Sequence, residues 1–95
     1  MNVESFSEFA PDGRSPVVED PYTVVLGLEA GDSVPGHTHP GQDILFAVFE
    51  GSLDLSVGDE TRTLEPGDFA NFEGDSEIAV NARADSKALV VFGEG

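Results

Sequence analysis

Apolar residues recur at every second position in short runs along this chain, and Gly, Pro and Asp interrupt the runs. Tyr22, Val24, Leu26 and Leu28 alternate with Thr23, Val25, Gly27 and Glu29, which predicts a strand ending at the turn residues Gly31-Asp32. Residues 34 to 39 form a short strand in this reading, and Pro40-Gly41 turns the chain. Ile44 to Phe49 is an unbroken apolar run, which predicts a strand buried on both faces. Leu53, Leu55 and Val57 alternate with Ser52, Asp54 and Ser56; Gly58-Asp59-Glu60 then returns the chain as residues 61 to 64, a hairpin. Residues 69 to 72, 77 to 81 and 87 to 92 complete the set.

No segment has a helical period. About eight short strands without crossover helices close most readily into an all-β barrel or a double-sheet jelly roll, which removes or protects strand edges. The expected organisation is an N-terminal arm over residues 1–21 and a single barrel domain over residues 22–95. The first twenty residues, with Pro11, Gly13, Pro16 and Asp20-Pro21, read as loop-like. Phe6 and Phe9 are expected to pin this arm to the barrel or to a second subunit.

Composition narrows the chemistry. The 95 residues contain no Cys, so disulfides, thiolate nucleophiles and Cys-type zinc sites are excluded, and any metal rests on His, carboxylate and amide or water oxygen. Nineteen acids face four bases (Arg14, Arg62, Arg83, Lys87), giving a net charge of −15 scattered over the whole chain. Such a surface repels phosphate backbones and anionic lipid heads, which argues against nucleic-acid and membrane partners. Its self-repulsion is relieved as the Debye length falls from about 10 Å at 0.1 M salt to about 3 Å at 1 M. The expectation is an acidic, halophilic protein from a salty cytoplasm. Residues 1 to 15 carry neither the basic start nor the apolar stretch of a secretory signal, so a cytoplasmic location is expected.

Both histidines of the chain lie in GDSVPGHTHPGQD, residues 31 to 43. Residues i and i+2 of a strand point to one side, so His37 and His39 face one volume and can share a metal ion. Two ligands make an incomplete centre. Asp43 is the nearest carboxylate and Gln42 the competing oxygen donor; two His with one carboxylate would match the facial arrangement used by iron(II).

The same stretch resembles the first motif of the cupin family, in its small type-2 barrels: Gly31, five residues, His37-Thr38-His39, then Asp43 and Gly51. Asp43 stands where the family carries Glu, and the interval from it to Gly51 is one residue too long. If Gly51 sets the register, Ile44 takes the Glu position; a bulge near Ala47 would reconcile the two. The second motif is matched by Gly67-Asp68, the strand FANF and Asn81, but Ile78 occupies the place of the third histidine. The resemblance implies a double-stranded β-helix holding iron, manganese, zinc, nickel or copper, here bound weakly or not at all. It implies action on, or binding of, a small organic molecule in a dioxygenase- or isomerase-like manner. The alternative is a non-catalytic cupin with a degenerate metal site, serving as a small-molecule-binding or dimerisation module. Phe46, Val48, Leu55, Phe69, Phe72 and Ile78 are the expected pocket lining, and the family's habit suggests a homodimer.

Overall fold

A computed structural model describes residues 1–94; Gly95, the last residue of the expected 22–95 domain, lies outside the described residues. One 3-10 turn, Phe6–Glu8, precedes nine strands: β1 Gly13–Glu19, β2 Tyr22–Leu28, β3 Ser33–His37, β4 Gln42–Glu50, β5 Leu53–Val57, β6 Glu60–Leu64, β7 Phe69–Glu73, β8 Ile78–Ala82 and β9 Ser86–Glu94. Every pairing is antiparallel. One sheet has the order β1-β2-β9-β4-β7 and the other β3-β8-β5-β6, so the two face each other as a jelly-roll barrel. Among the described residues no helix is long and apolar enough to cross a membrane.

The core follows from the alternation. Val24, Ile44, Val48 and Leu53 point between the sheets and are almost completely buried, and Phe46, Leu55, Val80 and Val90 pack with them. Burying each such side chain contributes about 1.5–3 kcal/mol. The β5–β6 hairpin turns at Gly58-Asp59, with Val57 paired to Glu60 and Gly58 at φ 60°.

Three expectations change. The loop-like reading of the first twenty residues fails at Gly13–Glu19, which pairs with β2 as the outermost strand. Pro16 disguised it, yet a proline is tolerated on an edge strand because no neighbour needs its missing N–H, and the register shifts between Pro16 and Val18. The run 44 to 49 is not buried on both faces: Ile44, Phe46 and Val48 point inward, while Leu45 (39% exposed) and Phe49 (47%) lie on the outer face. That outer face is only partly covered, by the arm. Phe6 stacks on Phe49 with ring centroids 4.4 Å apart, and Lys87 Nζ donates to Phe6 O (2.7 Å) and Phe9 O (3.1 Å). Lastly, β3 ends at His37, leaving His39 in the loop that follows.

A bulge does lengthen β4, although at Phe49 rather than near Ala47. Val48 pairs with Ala88 and Glu50 with Lys87, so Phe49 is the extra residue. Two residues beyond it, Gly51 has φ 83°, and a Cβ there would collide with Asp85 O and Ser86 Oγ. Only glycine satisfies both demands.

Candidate functional site

Between the sheets lies a cavity of about 350 Å³, within the size range of small-ligand pockets. Its body is apolar, with Leu26, Ile44, Phe46, Phe72, Val80 and Val90 among its walls. His37 and His39 both line it. They do so although His39 is not part of β3, because the backbone holds it. His39 N donates to Gly74 O (2.8 Å), Gly74 N donates to Gln42 O (2.8 Å), and Gln42 N donates to His39 O (3.2 Å). Gly74 has no room for a side chain, since a Cβ would collide with His39 O.

The two imidazole rings meet edge to face, with centroids 4.8 Å apart and planes at 88°. His37 Nδ1 lies 3.0 Å from Pro35 O. The carbonyl can only accept, so Nδ1 carries the proton and the lone pair of a neutral ring is left on Nε2. His39 rests against Phe92 at 4.9 Å. Burial pushes the His39 pKa below its ordinary 6.5, and the nearby His37 and Arg14 push it the same way. A neutral imidazole able to accept a hydrogen bond or a cation is therefore the resting form of His39 at neutral pH.

The oxygen donors expected beside the histidines lie elsewhere. Asp43 sits on the outer face of β4, because Ile44 next to it points inward; its Oδ1 accepts from Asn71 Nδ2 at 3.3 Å. Asp43 does not line the cavity, and Gln42 serves the site through its backbone rather than as a lining side chain. Ile78, the cross-strand partner of His37, fills the place where a third imidazole would stand. Among the described residues, the one set of three His or carboxylate groups close enough to share an ion is Asp12, Glu29 and Asp32, all exposed, and it includes neither histidine. A donor set of three His and one carboxylate thus does not fit these residues; two imidazoles are what the cavity offers.

Of the expected lining, Phe46, Phe72 and Ile78 are in place. Val48 is instead packed in the core away from this cavity. Leu55 and Phe69 border a second hollow of about 480 Å³ between the edges β6 and β7. Phe69 is 70% exposed because it pairs with Ala47 on the outer face, whereas Phe72 pairs with the inward Ile44. Three charged residues that sequence reasoning did not place here also line the main cavity: Asp12, Arg14 and Asp32. The first two ride on or beside β1, the strand that Pro16 concealed. Asp12, Asp32 and Asp85 crowd Glu29 and raise its pKa.

The fold and cavity define a small cupin barrel. Residues 24–92 match the Cupin_2 family model, described as a cupin domain, and the chain belongs to that family. An RmlC-like cupin protein from Desulfovibrio desulfuricans superposes with a TM-score of 0.88 at 22% identity, covering 98% of this chain and 96% of that one. The TT1209 protein from Thermus thermophilus gives 0.84 at 24% identity, with 99% and 98% covered. A conserved protein of unknown function from Streptococcus pyogenes, SPY1581, gives 0.73 at 20% identity; 78% of this chain is covered, and it spans 64% of that longer one. No curated protein matches the chain.

Proposed function

We propose that this chain is a ligand-binding cupin whose barrel cavity takes one small organic molecule, with the two histidines as polar contacts beside an apolar wall. The observation that carries this reading is the convergence of His37 and His39 on a single cavity lined by core side chains. His37, its Nδ1 proton held by Pro35 O, offers Nε2 as an acceptor, and neutral His39 adds a second polar ring, so the pair fixes orientation while the apolar body supplies affinity. A panel of aromatic and aliphatic fragments, neutral and carboxylate, tests it by ligand-observed NMR. Binding at the cavity is expected, and Val34→Phe, at a half-buried wall position, should abolish it. If no fragment binds, or if the filled variant binds as well as the native protein, the reading fails.

A second reading is that His37 and His39 hold a divalent ion, with water in the remaining positions and a small substrate alongside. The geometry at Pro35 favours it, since a carbonyl that fixes the Nδ1 proton presents Nε2 to an ion, as in many metal sites. Elemental analysis after dialysis against metal-free buffer, followed by titration with zinc and manganese, separates the two. Stoichiometric retained or titratable metal, lost in both His37→Ala and His39→Ala, selects the metal reading. Fragment binding by metal-free protein selects the first.

A further inference from the structure

The cavity has one positive group. Of the four basic residues, Arg62, Arg83 and Lys87 each face a carboxylate, at 2.9, 2.9 and 4.0 Å. Arg14 does not, although nineteen acids are available to it. Among the described residues it is the one Lys or Arg side chain without an acidic partner, and it lines the cavity. Its Nη1 donates to Tyr22 Oη at 3.0 Å, and the guanidinium lies 5.5 Å from the Tyr22 ring centroid. That aromatic contact holds the group in place and leaves the rest of its planar fork unpartnered.

The placement is directional. Arg14 stands opposite Leu26 on β2 and leans toward Tyr22, at the far end of β2 from Glu29. Tyr22 packs on Phe92 at 5.5 Å, and Phe92 on His39 at 4.9 Å, so the cation and the histidines belong to one end of the cavity. The charge of Arg14 reaches His39. Asp12 and Asp32 gather with Glu29 at the other end. In a chain of net charge −15, an exposed arginine left free of carboxylates at the rim of an apolar cavity is a foothold for one anion.

We infer that the cavity selects a small organic monoanion, its carboxylate held by Arg14 near the histidine pair and its apolar body lying on Ile44, Phe46 and Val90. The acids at the opposite end disfavour a second anionic group on the same ligand. This inference rests on the cavity being a ligand site, as proposed above.

Matched pairs test it: benzoate against benzamide, and hexanoate against hexanamide, titrated into native protein and Arg14→Gln in about 0.1 M salt. Native protein is expected to bind each carboxylate about threefold tighter than its amide, and Arg14→Gln to lose that preference while still binding the amides. Amide binding by the variant also shows that its cavity is intact. A preference that survives in Arg14→Gln overturns the role of Arg14. Native protein that binds the amides as tightly as the acids overturns anion selection while leaving the cavity reading standing, and failure of all four probes removes both.

Discussion

His37 and Ile78 are cross-strand partners in the β3–β8 ladder, and both side chains line the same cavity. Replacing Ile78 by His therefore sets a third imidazole beside the existing pair, the number that zinc centres commonly use. Ile78→His is expected to raise zinc affinity on the order of tenfold or more, read by competition titration with a chromogenic chelator. The buried apolar side chain is lost at a cost of about 1–3 kcal/mol, visible in denaturant unfolding. Unchanged zinc affinity in a folded variant would show that the rings do not converge on one point.

The folded His39 ring holds its proton less tightly than the unfolded one. In the window from pH 6.5 down to the folded value, the unfolded chain binds more protons. The stability that His39 contributes is consequently full above pH 6.5 and is lost as pH falls through that window. Unfolding free energies measured across it should slope upward with pH in the native protein and less steeply in His39→Gln. NMR titration of the ring should place its midpoint below 6.5.

At the acidic end the sign reverses. Asp12, Asp32 and Asp85 make the charged form of Glu29 unfavourable in the fold, so its contribution is best below pH 4.5 and declines as pH rises through the raised folded value. Glu29→Gln is expected to raise Tm at neutral pH and about 0.1 M salt, with the gain shrinking near 1 M. Calorimetry of the native protein should likewise show Tm rising over that range, because a net charge of −15 is being screened. A Tm that stays flat with salt would count against adaptation to a salty cytoplasm.

Gly74 is the floor under His39. Gly74→Ala forces a methyl into His39 O and should destabilise the fold by about 1–3 kcal/mol while displacing the His39 ring resonances. Gly93→Ala is the matched control: a Cβ there meets only Asp43 O, at an ordinary 3.6 Å, and its effect is expected within about 0.5 kcal/mol. Equal effects in the two variants would contradict the tight seat assigned to Gly74.

The strands were legible wherever alternation and turn residues agreed. The strand Tyr22–Leu28 and the β5–β6 hairpin, with its two-residue Gly58-Asp59 turn, needed nothing beyond local pattern. What local pattern cannot carry is register. Whether Asp43 or Ile44 faces inward depends on where β4 bulges, and the bulge at Phe49 is decided by pairing with β9, a strand about forty residues away. The apolar run of β4 misleads for a related reason: a sheet face sheltered by Phe6 and the arm looks, in sequence, like a second core face. The histidine pair announced itself as the only two His of the chain. Arg14 did not, since its meaning lies in the absence of a carboxylate partner and in a strand masked by Pro16.

The position of β1 at the margin of its sheet has an evolutionary corollary. Most of the apolar walls of the cavity belong to the interior strands β2, β4, β8 and β9, where each change disturbs the core, but Arg14 and its neighbour Asp12 lie on or beside a strand bonded on one side only. Substitutions there alter the charge lining the cavity at little structural risk. Descendants of this barrel can therefore change the charge that lines the cavity by drift along a single outlying strand, while the rest of the fold stays under unchanged selection.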